Sequence, residues 1–168
     1  AGPEDVAAAI RWVKKNGRQY KADPRRIALV GESAGGYLVA WAGTRFTPET
    51  RVQAVVDFYG PHDMVSHGEW YWDRHHDYSP NLKAFFGVSD LSPESRRKLW
   101  DASPYRYVRK DMPPFLFIHG TKDAAVNYEQ SVSMCGRMKS VGANCEVFTV
   151  ADGPHGVGPW EKEPRFQG

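Results

Sequence analysis

The sequence predicts an α/β fold: a mostly parallel sheet of about four strands flanked by helices, with an aromatic-rich insertion. Three observations carry this. Short apolar runs alternate with stretches of helical periodicity, as in βαβ units, whose crossovers make the strands parallel and cover them with helices. The turn Gly31-Glu32-Ser33-Ala34-Gly35-Gly36 joins one such run to one such helix. The chain has 168 residues, 41% hydrophobic and 25% charged, enough for one domain (residues 1–168) with a real core.

Pro3, Glu4 and Asp5 open the first helix, since proline suits the first turn and acids suit the positive end of the helix dipole. Val6, Ala9, Ile10 and Val13 then recur at helical spacing. Lys14 and Lys15 suit its last turn and Gly17 caps it. Residues 20–26 are polar and read as a loop. Ile27-Ala28-Leu29-Val30 is a continuous apolar run, as in a strand buried on both faces. After the glycine turn, Tyr37 to Gly43 reads as a helix of small and apolar residues that packs on the sheet.

Residues 52–59 are rich in β-branched and aromatic residues and form the second strand. Phe115-Leu116-Phe117-Ile118 is the third. Residues 127–141 form a helix that Gly142 ends, and residues 145–150 are the fourth strand. Residues 61–107 differ. They hold Trp70, Trp72 and Trp100 and four histidines with little long periodicity, and read as an insertion between the second and third strands. Within it, Ser92-Pro93-Glu94 starts one short helix by cap, proline and first-turn acid.

Composition excludes some partners. The formal net charge is +2 and there is no Lys/Arg stripe, so nothing points to nucleic acid. Arg25-Arg26 and Arg96-Arg97 read as solvated positions. No run approaches the roughly 20 apolar residues that span a bilayer. No signal peptide is visible, because the chain opens directly into a helix, and the compartment stays open. Cys135 and Cys145 are too few for a disulfide framework or a metal cluster. They read as two unremarkable thiols, with a bridge as the lesser alternative.

The chemistry sits at strand ends, where open α/β sheets gather their catalytic groups. Gly-x-Ser-x-Gly is the nucleophile elbow, which strains the serine's backbone and lifts its Oγ clear of the sheet. It demands an acid and then a histidine, in that order. The third strand runs into His119-Gly120-Thr121-Lys122-Asp123, and the fourth is followed by Gly153-Pro154-His155-Gly156. Ser33 is the expected nucleophile, His155 its base, Asp123 the carboxylate that holds the imidazole, and the Ala34 N–H an oxyanion donor. Asp152 competes with Asp123 but lies too close to His155 in sequence. His119 reads as structural. The histidines and aspartates of the insertion fit no standard zinc spacing. The insertion is expected to cover the site, and Glu32, Trp70 and Trp72 are the candidates beside the substrate pocket. Glu32 is expected to act as a hydrogen-bonding neighbour of the nucleophile, not as a catalytic acid.

With these residues in place, the chain resembles the α/β-hydrolase superfamily and looks like its acetyl-esterase/lipase branch, which includes hormone-sensitive-lipase-like and carbohydrate-esterase-like members. The matching stretches are residues 5–13, Asp23-Pro24-Arg25-Arg26-Ile27, the elbow, Ala102-Ser103-Pro104, residues 113–123 and Pro154-His155-Gly156. The resemblance implies hydrolysis of short-chain carboxylic esters of small molecules, with no cofactor. It also implies a His-Gly-Gly oxyanion loop ahead of the first helix, and this sequence contains no His-Gly-Gly. The chain therefore reads as the C-terminal half to two-thirds of such a fold. Residues 27–30 would then be an apolar edge that a preceding segment or self-association covers. A prolyl-oligopeptidase-like peptidase and a binding module without turnover are the alternatives.

Overall fold

The computed structural model describes residues 2–162 and Pro164. Four parallel strands lie in the order β1 (Ala28–Glu32), β2 (Ala54–Phe58), β3 (Phe115–Gly120) and β4 (Cys145–Val150). Register aligns Val30 with Val56 and Val56 with Leu116. Consecutive strands are neighbours and parallel, so every connection crosses over one face of the sheet.

That face carries the main core. Helix α1 (Gly2–Asn16), with acids in its first turn and lysines in its last, packs on α2 (Ala34–Thr44). Helix α2 packs on β1 and β2, and α6 (Glu129–Ser140) packs on β3 and β4. Ile10, Val39, Ala40, Val55, Phe115, Phe117, Met134 and Met138 are buried together between these layers. Gly43 is what lets α2 approach, because a Cβ there would stand 2.6 Å from the Phe115 ring.

The opposite face is covered at one end. Trp160 of α7 (Val157–Lys162) packs there with Tyr59 and Val150, against Phe58 and Ile118. Further along, Val30 is 65% and Phe148 58% exposed. This corrects the expectation of a strand buried on both faces over residues 27–30. β1 is an edge strand with a helix layer on one side, so Ala28, Val30 and Glu32 alternate toward solvent.

The insertion is more regular than its sequence suggests. It folds as α3 (Met64–His75), α4 (Pro80–Phe86), α5 (Pro93–Asp101) and a 3-10 turn over Pro104–Tyr107. Each helix has a side-chain cap: Asp63 accepts from the N–H groups of Val65 and Ser66, Ser79 from Leu82, and Ser92 from Ser95. The helices share a small core of Met64, Tyr78, Leu82, Val88 and Leu99. Aromatic residues on several faces of α3 mask its periodicity, and α4 and α7 are too short to show any.

The cysteines are also corrected. Cys135 and Cys145 form a disulfide, with Cα atoms 5.6 Å apart and a sequence separation of 10. Gly142, at φ 78°, turns the chain from α6 into β4 and brings the inner face of the helix against the start of the strand. A count of two cysteines does not reveal that proximity. Closing so short a loop stabilises the fold by about 2–3 kcal/mol. Among the described residues, no helix is long and apolar enough to cross a membrane.

Candidate active site

Ser33 sits between β1 and α2 with φ 53° and ψ −117°, a conformation that L residues rarely adopt. Its N–H donates to the Phe58 carbonyl at 2.9 Å, and its own carbonyl accepts from the Tyr37 N–H. Sterics explain two of the motif's glycines. A Cβ on Gly31 would lie 2.3 Å from the Gly35 carbonyl oxygen, and one on Gly36 would lie 2.7 Å from Asp57 Oδ1. A Cβ on Gly35 would meet nothing within 4 Å, so Gly31 and Gly36 are the pair the turn requires.

The ends of β3 and β4 are bound to one another. The Thr121 N–H donates to the Val150 carbonyl and the Lys122 N–H to the Gly153 carbonyl. Gly120 approaches so closely that a Cβ would stand 2.1 Å from the Gly153 carbonyl oxygen. This contact places the Asp123 and His155 loops side by side over Ser33.

The three expected side chains converge. His155 Nε2 is 3.0 Å from Ser33 Oγ, and His155 Nδ1 is 2.6 Å from Asp123 Oδ2. Asp123 is buried, and its Oδ1 accepts from the N–H groups of Ala125 and Val126, each at 2.8 Å. Burial alone would raise its pKa. Hydrogen bonds from His119, His155, Val126 and Ala125 outweigh that and hold the carboxyl well below the usual range. His119 is fully buried and touches the acid. Its Nε2 stands 3.2 Å from Asp123 Oδ2 and 3.1 Å from the Val126 carbonyl, and its Nδ1 is 2.8 Å from Ser131 Oγ. Asp152 turns away and pairs with Lys122 at 2.9 Å.

Tyr59 was not among the expected site residues. At φ 45° it follows the last residue of β2, with its ring 4.6 Å from the His155 ring, centroid to centroid. Its hydroxyl donates to Glu32 Oε2 at 2.6 Å and accepts from the Val157 N–H at 3.0 Å. One side chain thus links the residue before the nucleophile to the loop that carries the histidine. Burial and the Glu32 carboxylate raise its pKa well above the ordinary tyrosine value. Its place at a strand end, before Gly60, was the signal that could have found it.

A cavity of about 920 Å³ opens from Ser33 and Ala34 between α2 and the insertion. Tyr37, His67, Tyr71 and Phe86 help to line it. Glu32, Trp70 and Trp72 do not, which corrects the expected pocket wall. Glu32 is occupied by Tyr59. Trp72 packs edge-on against Tyr78 in the core of the insertion. Trp70 lies between His67 and the Arg74 guanidinium. Met64, His67 and Tyr71 recur on one face of α3, so this face meets the cavity and the tryptophans fall beside it.

Chemically, this arrangement supplies a hydroxyl, a base within hydrogen-bond reach of it, and an orienting carboxylate. The Ala34 N–H lies at the start of α2, where helix donors have no partner within the helix.

Residues 1–138 match the BD-FAE family, a stretch that includes Ser33 and Asp123. The chain is 32% identical over 154 residues to the probable carboxylic ester hydrolase LipM of Mycobacterium tuberculosis, covering 86% of this chain and 35% of LipM. Among solved structures, a truncated form of a carbohydrate esterase from gut microbiota superposes with a TM-score of 0.75 at 29% identity, over 91% of this chain and 60% of that one. A thermophilic esterase from the Planctomycetes species Thermogutta terrifontis, with propionate bound, superposes with a TM-score of 0.68 at 27% identity, over 92% and 55%. The chain spans about a third of the length of the curated relatives it matches, 35% of one and 36% of another.

Proposed function

The chain belongs to the BD-FAE family, in the esterase/lipase branch of the α/β hydrolases, and on that premise we propose that it is a serine carboxylesterase acting on short-chain acyl esters. The observation that carries this reading is the continuous Ser33–His155–Asp123 contact, 3.0 Å and then 2.6 Å. Ser33 Oγ attacks the acyl carbon while its proton passes to His155 Nε2. The carbonyl oxygen takes the negative charge and is met by the Ala34 N–H. The carbon–oxygen bond to the alcohol then breaks, and His155 returns the proton to the leaving oxygen. Water repeats the sequence on the acyl-enzyme and frees Ser33. Asp123, ionised because its hydrogen bonds hold it so, keeps Nδ1 protonated and Nε2 free to act as the base.

The short acyl preference is supported by the ligands of the Thermogutta terrifontis esterase, propionate in one structure and butyrate in another. A fluorophosphonate probe tests the nucleophile. One probe mass should add to the chain and none to Ser33→Ala. An unlabelled chain, or labelling that survives Ser33→Ala, contradicts the assignment. A series of p-nitrophenyl esters from acetate to decanoate tests the acyl length, with kcat/KM expected to peak within the first few members. A peak at decanoate contradicts it.

A further inference from the structure

His67 lies on the face of α3 that meets the cavity, shared with Ser33, and is 7% exposed. Its ring is parallel to Trp70, with centroids 6.1 Å apart and planes at 19°. Nδ1 is shut off from solvent and has no hydrogen-bond partner among the described residues. Nε2 is neither sealed in that way nor bonded to any described residue, so it is the nitrogen open to the cavity. The ring carries one proton. Burial holds its pKa down at about 4, with Asp123 opposing and His155 reinforcing the shift, so the imidazole is neutral above that pH.

A neutral histidine has one donor nitrogen and one acceptor nitrogen. A sealed N–H without an acceptor is costly and rare, whereas a sealed lone pair is the more tolerable defect. The proton therefore belongs on Nε2, which places an N–H donor in a cavity wall that combines the rings of Tyr37, Tyr71 and Phe86 with the polar side chains of Arg45, Asn81 and Lys98. Such a donor distinguishes ligands sharply. A ligand with an oxygen opposite it satisfies the donor, and a hydrocarbon of the same shape excludes water and leaves the donor bare.

We infer that His67 is a specificity-determining residue, whose Nε2–H donates to an oxygen carried by the ester's substituent, so that the cavity selects oxygenated esters over hydrocarbon esters of the same shape. This rests on the esterase reading for the orientation of the ester at Ser33. It goes beyond that reading in naming a residue that reads the part of the molecule beyond the ester.

The test uses binding, so it does not depend on turnover. In the Ser33→Ala background, dissociation constants are measured by NMR titration for two esters of the same shape, cyclohexyl acetate and tetrahydropyran-4-yl acetate, which differ by one ring oxygen. His67→Phe keeps a flat ring and removes the donor. It should weaken the tetrahydropyranyl ester about tenfold relative to cyclohexyl acetate, the scale expected when a polar site loses its partner. His67→Gln, which retains an N–H, should recover part of that ratio and guards against a variant that fails to fold. Equal weakening of both esters, no change in the ratio, or binding of neither ester would overturn the inference. Loss of fluorophosphonate labelling, by contrast, counts against the esterase reading and leaves this ratio as it is.

Discussion

The ring of Tyr59 rests against that of His155, 4.6 Å between centroids, while its hydroxyl holds both Glu32 and the Val157 N–H. The base is therefore held by a ring contact as well as by Asp123. Tyr59→Phe keeps the ring contact and removes both hydrogen bonds, leaving the Val157 N–H without this acceptor. Stability should fall by about 1–2 kcal/mol in urea unfolding, and kcat by about tenfold with KM little changed. Wild-type values for both would show that the hydroxyl bridge does not position His155.

Asp123 carries two duties, and one substitution separates them by pH. Asp123→Asn removes the charge that favours the correct histidine tautomer, so ester turnover should drop by about 10³–10⁴. Its folded pKa is depressed, so its ionised form stabilises the fold above the ordinary carboxylate pKa, and that contribution disappears as pH falls through the lowered value. The stability gap between wild type and Asp123→Asn should therefore be full at pH 7 and shrink only below the usual carboxylate range. A gap that closes near neutrality contradicts this assignment.

The glycines of the elbow are not equivalent. A Cβ on Gly36 would lie 2.8 Å from the Gly60 Cα, which is backbone, and 2.7 Å from Asp57 Oδ1, which is buried and held by the Gly60 N–H. Gly36→Ala should cost about 1–3 kcal/mol. Gly35→Ala has open space and replaces a helical glycine, so it should be neutral or stabilising by up to about 1 kcal/mol. Thermal melts of the two variants in the reverse order would refute the steric reading.

The edge of β1 has a solubility consequence. Its strand neighbour is β2, and Val30 is 65% exposed. An apolar edge with unpaired backbone groups is a template for pairing. Sedimentation velocity across a range of concentrations should show association that Val30→Lys reduces. A strictly monomeric parent chain at all concentrations would contradict this.

The features legible in the sequence were those set by local chemistry. The elbow, the four strands and the long helices α1, α2 and α6 follow from glycine spacing, apolar runs and 3.6-residue periodicity, and each lies within a few residues of where that pattern placed it. Ser33, Asp123 and His155 converge because strand ends converge in a parallel sheet. The features that were hidden depend on contacts distant in sequence. The Cys135–Cys145 bridge needs the turn at Gly142, and the Tyr59 bridge joins three separate elements. His67 was indistinguishable from Trp70 and Trp72 until α3 had a rotation about its axis. The open face of β1 was hidden because a buried strand and an uncovered one have the same apolar composition.

Hydrolysis of p-nitrophenyl acetate by the 168-residue chain, beside Ser33→Ala, tests the central claim most directly. The contacts of Ser33, His155 and Asp123 call for turnover that follows the esterase course and falls to background with Ser33→Ala. Turnover that persists in Ser33→Ala, or a wild-type rate no higher than that of the variant, would contradict it.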